Sequence, residues 1–345
     1  MRYPVEVHHR IRKDELSDYL RTAEALRKCV GILSIQHEYG IWGGEDGRHV
    51  IDFVRALDVP SVATLHTVLQ RPTPGQRAVL SELVALADAT VVMSQSAAAR
   101  LTDVYGIDRR RLHVIPHGVP ELPFVDGATV KPGLGVEDRQ VILSFGLLGP
   151  GKGYELAIEA LPDVVAAHPS VLYVVVGETH PDLVRSEGEV YRDRLVAEVA
   201  RLGLQDHVRF IDRYVGRVEL TKWLEAADVF VTPYPNLDQI VSGTLSYAMG
   251  AGRPVVSTPY AYASEALADG RGVLVPPASP AALAVALNEL LGDPELRAAI
   301  GARAYAYSRR MVWSSVGGEY RDLFAQVAGA NRPAAQPARM VAAGA

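Results

Sequence analysis

The chain has little of what several protein classes require. Its 345 residues include a single cysteine, Cys29, which excludes an internal disulfide framework and fits a reducing compartment such as the cytoplasm. No apolar run reaches the roughly 18 residues that a membrane-spanning helix needs. The start of the chain has no signal-peptide core. Peripheral membrane contact stays open, because a small amphipathic patch would suffice for it.

Signals for nucleic-acid binding and for metal binding are equally sparse. The net charge is -5 and no basic block stands out, which argues against a nucleic-acid partner. His37 and Glu38 are adjacent but do not belong to a His-Glu-x-x-His zinc signature, and the chain has no Asp-x-Asp pair. The Gly-x-Ser-x-Gly elbow of many hydrolases is absent too. We therefore expect no metal and no resident cofactor.

Short apolar runs alternate with amphipathic stretches along most of the chain. This β-α-β-α order predicts an α/β protein with parallel sheets covered on both faces. In the first part, strands are predicted at 32–35, 62–65, 89–93 and 112–115, with helices at 49–57, 76–86 and 96–105. In the second part, strands are predicted at 141–145, 171–176, 208–211, 229–231, 255–257 and 273–275, with helices at 154–166, 189–202, 219–226 and 280–291.

The length and this pattern predict two domains in tandem. The polar segment 121–140, which contains Gly and Pro, is interpreted as the linker between them. The first domain is assigned residues 1–122 and the second residues 123–315, followed by the end of a C-terminal helix at 316–326. Residues 327–345 are rich in Ala, Pro and Gly and are predicted to be disordered.

Two glycine-containing loops in the second domain each leave a strand and open a helix. One is Phe145-Gly-Leu-Leu-Gly-Pro-Gly-Lys152-Gly153, and the other runs from Tyr234 to Thr244. The first amides of a helix have no intrahelical partner, and the helix dipole places partial positive charge there. Such a helix start is a natural anion site. Two of them in one α/β unit indicate a nucleotide diphosphate ligand.

The ordered motifs between His37 and Arg310 closely resemble the family 4 glycosyltransferases of the GT-B fold. Ser34-Ile-Gln-His-Glu-Tyr-Gly40 resembles the His-Glu element at a strand end, and Thr64-Leu-His66-Thr67 resembles the active-site histidine turn. Val114-Ile-Pro-His-Gly-Val119 resembles the Ile-Pro-Asn-Gly-Val signature, with His117 as a hinge residue. The resemblance implies two doubly wound, Rossmann-like parallel-sheet domains facing across a cleft, the donor bound to the second and the acceptor to the first.

The resemblance also implies roles for individual residues. The catalytic group would comprise His66, Lys152 and Asp238, and the acceptor side His37 and Glu38. The donor would contact Gly146, Gly151, Gly153, Gly177, Arg213, Tyr214, Gln239, Ser242, Gly243, Thr244 and Ser246. Lys152 and the helix amides would stabilise the departing diphosphate, doing the work that a metal does elsewhere.

The sequence departs from the family pattern in three places. Two glutamates that family members usually carry eight positions apart align with Asp238 and Ser246, and an arginine after the first loop glycine aligns with Leu147. The usual front of the first domain, a strand followed by a Gly-rich turn, is also not found before residue 32. We expect either a misplaced start or a shortened first domain, with an exposed sheet edge.

The expected activity is transfer of a hexose from a nucleotide diphosphate sugar, used as a co-substrate, to an acceptor hydroxyl with retention of configuration. Retention is implied by the family, and a saccharide or a lipid-linked sugar would serve as acceptor. Two alternatives stay open: a catalytically impaired protein that binds sugar nucleotides, and a GT-B sugar-nucleotide epimerase.

Overall fold

The computed structural model describes residues 7–330, which fall into two compact units. Unit 1 contains the chain up to Val92, the segment 98–115 and the residues from Gly317 onward, and unit 2 contains 93–97 and 116–316. Unit 1 holds strands β1 (Leu33–His37), β2 (Ser61–Leu65), β3 (Ala89–Val92) and β4 (Leu112–Val114). Its helices are α1 (Leu16–Leu26), α2 (His49–Leu57), α3 (Pro74–Leu86), most of α4 (Gln95–Tyr105) and most of α13 (Trp313–Ala330).

The sheet of unit 1 is parallel, in the order β1-β2-β3-β4. Every residue of β2 is buried, as expected for a strand covered on both faces. Helix α1 was not predicted from the sequence. It packs against α2 through Tyr19 and Ala23, which meet Phe53 and Leu57 in one apolar cluster. The apolar residues of α1, which are Leu16, Tyr19, Leu20, Ala23 and Leu26, have helical spacing, so the sequence does contain the signal for this helix.

Unit 2 is a larger parallel sheet with helices on both faces. Its strands are β5 (Gln140–Phe145), β6 (Val171–Val176), β7 (Val208–Ile211), β8 (Val229–Thr232), β9 (Val255–Ser257) and β10 (Val273–Leu274). Its helices are α5 (Tyr154–Ala167), α6 (Pro181–Glu187), α7 (Val190–Arg201), α8 (Arg217–Ala226), α9 (Gly243–Gly250), α10 (Ala261–Ala266), α11 (Pro280–Gly292) and α12 (Pro294–Ser308). The predicted α/β class with two parallel-sheet domains is confirmed.

Side chains of the inner unit 2 strands alternate between two cores. In β6, Tyr173 and Val175 belong to the core on one face, whereas Leu172 and Val174 belong to the core on the other. This follows from the two-residue period of a strand. A strand that is buried on both faces reads as a continuous apolar run, which is why residues 171–176 were predicted with the bounds that the structure shows.

The strand order β10-β9-β8-β5-β6-β7 reverses between β5 and β8. The chain leaves these two neighbouring strands toward opposite sides of the sheet, which opens a crevice beyond their carboxyl ends. Ligands of open α/β sheets bind in such a crevice. The two loops that were predicted to bind phosphate begin here, after Phe145 and after Thr232.

The segment 121–140 is not the linker that the sequence suggested. It lies in unit 2 and is held there by an ion pair between Lys131 and Asp228 (Nζ–Oδ2, 2.6 Å). Arg253 also donates a hydrogen bond to the carbonyl of Val125 (2.8 Å). The boundary between the units that is nearest to this segment lies between Ile115 and Pro116, and not between 122 and 123. Polar, Gly- and Pro-containing sequence marks an irregular segment, and here that segment is packed.

Two further features concern the ends of helices. Residues 327–330, predicted as part of a disordered tail, belong to α13, while the remainder of that predicted tail lies outside the described residues.

Within unit 2, the carboxylate of Glu265 accepts hydrogen bonds from the backbone amides of Gln95 (2.9 Å) and Ser96 (2.8 Å). A carboxylate is favourable there because it meets unpaired amides at the start of a helix. Within residues 7–330, no helix is long and apolar enough to cross a membrane.

Candidate functional site

The two loops at the switch point of unit 2 interlock. Gly153 ends the first loop in the left-handed region (φ 67°), and a Cβ atom there would lie 2.1 Å from the carbonyl oxygen of Pro233 in the second loop. Gly177 likewise has φ 139°, and its Cβ would lie 2.1 Å from the carbonyl oxygen of Gly146. Only glycine fits either position, so these glycines fix the distance between the loops and the strand ends.

Lys152 is the cation of the first loop. It ends a short 3-10 helix, Pro150–Lys152, and its Nζ lies 4.4 Å from the ring centroid of Tyr234. Gly151 in the same turn is exposed. Leu147, which occupies the position of the expected arginine, is 44% exposed.

The second loop ends at the first turn of α9. The Ser242 hydroxyl accepts the amide of Leu245 (3.3 Å) and is hydrogen-bonded to the Thr244 hydroxyl (3.1 Å). Upstream, Gln239 donates from Nε2 to the carbonyl of Val241 (2.7 Å). The backbone amide of Asp238 donates to the Asn236 side chain (2.9 Å).

His117 lies beside the start of α9. Its Nε2 would stand 2.9 Å from a Cβ at Gly243, the first residue of that helix. The sequence suggested a hinge role for His117, and nothing in its motif indicated this contact.

A pocket of about 350 Å³ opens beside the first loop. Four of the predicted donor residues line it: Gly146, Gly177, Arg213 and Tyr214. Phe145, Leu147 and Glu178, which belong to the segments singled out in the sequence, also line it, whereas sequence reasoning missed Val176, Val215, Arg217, Leu220 and Tyr247. Arg213 forms a two-pronged ion pair with Glu219, and the Tyr214 amide donates to the Glu178 carboxylate (3.0 Å).

The structure corrects the prediction for Ser246. This residue is fully buried, its hydroxyl donates to the carbonyl of Ser242 (2.8 Å), and it is hydrogen-bonded to the Tyr262 hydroxyl (2.7 Å). Tyr247, the next residue, lines the pocket instead. One residue turns a helix by about 100°, so a shift of one position exchanges a core residue for a site residue. If Tyr247 rather than Ser246 occupies the position of the second family glutamate, the first glutamate, eight residues earlier, aligns with Gln239 rather than with Asp238.

In unit 1, the predicted residues gather at the carboxyl ends of β1 and β2. His66 Nε2 is hydrogen-bonded to the Gln36 side chain (2.7 Å). Burial lowers the pKa of His66, partly opposed by the negative charge of Glu38. Both carboxylate oxygens of Glu38 accept hydrogen bonds. One accepts from the backbone amide of Tyr39, and the other accepts from the hydroxyl of Thr67. His66 therefore offers a neutral imidazole at neutral pH, and the Glu38 side chain beside it is held in one orientation.

His37 differs from the other two because it is completely buried. Neither ring nitrogen has a hydrogen-bond partner, and its ring meets that of Tyr39 edge-on at 5.0 Å. Burial, and to a lesser degree His66, lower the pKa of His37 to about 4. His37 thus lies below the surface, whereas Glu38 and His66 are half-buried and partly exposed to solvent.

Comparison with known proteins adds an independent finding. The family description "Glycosyl transferases group 1" matches residues 129–307, and "Glycosyltransferase Family 4" matches residues 20–121. The D-inositol 3-phosphate glycosyltransferase of Acidothermus cellulolyticus is 32% identical over 344 residues, which cover 91% of this chain and 74% of that protein. The protein of the same name from Segniliparus rotundus is 30% identical over 326 residues, covering 88% and 70%.

Among solved structures, Anabaena Alr3699/HepE in complex with UDP is similar with a TM-score of 0.73. The two chains are 20% identical, and the match covers 90% of this chain and 82% of that one. At this identity the likeness concerns the fold.

Proposed function

Because this chain belongs to the group 1 glycosyltransferases of family 4, we propose that it transfers a hexose from UDP-hexose to an acceptor hydroxyl with retention of configuration. The observation that carries the proposal is the convergence at the switch point of unit 2. A cation, the start of a helix and an apolar pocket lie side by side there, as a nucleoside diphosphate requires.

The pocket suits a nucleobase. Phe145, Val176 and Leu220 give it an apolar lining, and Tyr214 and Tyr247 add aromatic rings for packing. The choice of uridine is supported by the solved neighbour that is complexed with UDP, and by a second structure of it with UDP-glucose. The ribose and diphosphate would extend from the pocket toward Lys152.

The main chemical task is to stabilise the departing diphosphate. As the bond from the anomeric carbon to the phosphate oxygen breaks, negative charge grows on that oxygen. Lys152 would supply a positive charge, and the free amides at the start of α9, near Gly243 and Thr244, would supply hydrogen bonds. Donors that are already in place cost no reorganisation during the reaction.

A front-face reaction makes a separate base unnecessary. The acceptor oxygen bonds to the anomeric carbon on the face that the phosphate leaves, and the acceptor proton passes to the departing phosphate oxygen. This fits Glu38, whose two oxygens both accept hydrogen bonds already. We propose that Glu38 and His66 orient a saccharide or lipid-linked acceptor and the transferred sugar. No metal and no resident cofactor enter this proposal, and the single exposed Cys29 fits a cytoplasmic location.

A thermal-shift panel tests the donor first. UDP-, GDP- and ADP-sugars are compared, each beside its free nucleotide. A ligand at 100 times its Kd adds about 2.7 kcal/mol to the free energy of unfolding if it binds only the folded state. A shift with the uridine pair alone supports the proposal, and a larger shift with another base would replace uridine. No shift with any nucleotide, from a folded sample, would contradict a working donor site.

The reaction itself is tested by product analysis. UDP-glucose is incubated with saccharide and polyol acceptors, and the product is identified by mass and by the NMR coupling of its anomeric proton. Lys152→Ala should lower turnover by about 10²- to 10³-fold. If Lys152→Ala changes only UDP affinity and no product forms with the wild type, the chain is an impaired binder. An epimerised sugar nucleotide formed without acceptor would indicate an epimerase.

A further inference from the structure

Tyr234 occupies the centre of the switch point. It comes directly after β8 and Pro233 and is only 3% exposed. Its carbonyl accepts a hydrogen bond from the hydroxyl of Thr258 (2.6 Å), which ties the backbone at Tyr234 to the segment after β9. The backbone at Tyr234 is therefore fixed from the sheet side.

The Tyr234 ring has two close neighbours. Tyr260 stacks on the ring, with 5.2 Å between centroids and 17° between planes. The Lys152 ammonium lies 4.4 Å from the ring centroid. A cation over an aromatic face is attracted by the negative charge of that face, most strongly where water is excluded. Since the Tyr234 ring stacks on Tyr260, which is fully buried, the core fixes the ring against which the Lys152 ammonium lies.

The Tyr234 hydroxyl reaches the other phosphate-binding element. It is hydrogen-bonded to the Thr244 hydroxyl (2.9 Å), and Thr244 is linked in turn to Ser242, which caps α9. One side chain thus joins the cation of the first loop to the first turn of α9. The contact of Gly153 with the carbonyl of Pro233 holds the backbones of the two loops at the same point.

We propose that Tyr234 is a positioning residue that holds the Lys152 ammonium at the place where the diphosphate leaves. This rests on the role proposed for Lys152 above. A lysine side chain has four rotatable bonds and loses much freedom when it is fixed. Because Leu147 provides no second charge in the loop, an error in the placement of Lys152 is not compensated nearby. The contact with the Tyr234 ring already restricts the Lys152 side chain before the donor binds, so less conformational entropy is lost on binding.

A double-mutant cycle tests the proposal. UDP affinity is measured by calorimetry, and kcat and KM for UDP-glucose by UDP release, in Lys152→Ala, Tyr234→Leu and the double variant. We expect Tyr234→Leu to lose about tenfold in UDP affinity and at least as much in kcat. The double variant should be no worse than Lys152→Ala, because both changes remove one interaction. Tyr234→Phe keeps the ring, so its kcat should stay within about threefold of the wild type.

Tyr191→Leu is the matched control for loss of a buried tyrosine. Tyr191 is 4% exposed and lies in the core on one face of the unit 2 sheet, hydrogen-bonded to Glu155. Tyr191→Leu should lower the melting temperature but leave kcat at the value of the wild type.

Three results would overturn the positioning role. They are full additivity of Tyr234→Leu with Lys152→Ala, an equal loss of kcat in Tyr234→Phe, and UDP affinity within twofold of the wild type in Tyr234→Leu. If Lys152→Ala itself binds UDP and turns over normally, the proposed role of Lys152 fails, and the positioning role falls with it.

Discussion

The buried state of His37 leads to a quantitative prediction about acid stability. Burial lowers the pKa of this imidazole from about 6.5 to about 4 in the folded protein, because a charged ring in the core would lose its hydration. The unfolded chain still binds a proton near pH 6.5. Between these values the unfolded state holds more protons, so the free energy of unfolding falls as the pH falls. The stabilisation is complete above pH 6.5 and is lost progressively down to about pH 4.

The size of the effect follows from the two pKa values. Between pH 7 and pH 5, His37 should cost unit 1 about 2 kcal/mol, at 1.36 kcal/mol for each pKa unit. His66 acts in the same direction, since burial also lowers its pKa. The contribution of His37 is therefore isolated by comparing the wild type with His37→Phe at both pH values.

Urea unfolding followed by tryptophan fluorescence provides the assay. Trp42 lies in unit 1, and replacing Trp223 and Trp313 by Phe leaves it as the only tryptophan of the chain. At pH 7, His37→Phe should be at least as stable as the parent, because it removes two unpaired buried nitrogen atoms. At pH 5 its advantage should grow by about 2 kcal/mol.

A control on the same strand separates titration from packing. Ile35→Val removes one buried methyl group from β1 and should cost about 1 kcal/mol at both pH values. If the difference between His37→Phe and the parent is the same at pH 7 and pH 5, His37 is not held neutral by burial, and the reasoning is refuted.

Three further outcomes are expected. Gly177→Ala should weaken UDP binding at least tenfold in calorimetry, because its Cβ would collide with the carbonyl oxygen of Gly146; unchanged affinity would show that the loops can separate freely. Glu265→Ala should lower the free energy of unfolding by about 1 kcal/mol, since two helix-start amides lose their acceptor, and Glu265→Gln should retain part of this. Tyr247→Ala should weaken UDP binding about tenfold, whereas Ser246→Ala should leave it within about twofold; the reverse result would restore the original register.

Most strands could be predicted because their signal is local. Residues 208–211 and 255–257 were predicted with the bounds that the structure shows, as were residues 49–57 for α2. In each case an apolar run or a helical period is contained in the segment itself. Helix α12 was missed because few of its residues are buried, whereas α1 was missed although its apolar residues have helical spacing. The segment 121–140 was predicted to be a linker because its composition is typical of a loop. That composition does not show that the segment packs against unit 2.

The candidate site divides in the same way. Glycines and a lysine at a strand-to-helix turn indicated the two loops of unit 2, because the turn geometry and the chemistry share the same few residues. The sequence of a helix does not show which of its residues face the pocket and which face the core. Ser246 and Tyr247 are adjacent, and the choice between core and pocket depends on how α9 is rotated against Tyr262 and its neighbours.

The sequence by itself determined the α/β class, the sites of the two glycine turns and the family to which the chain belongs, because all three are written in short segments. Only the tertiary structure decided that Tyr234 contacts both Tyr260 and Lys152, that Tyr247 faces the pocket and that His37 is buried in the core. These contacts join residues that are distant in the chain or that differ only in direction. They arise from the packing of helices on a sheet, which no single segment encodes.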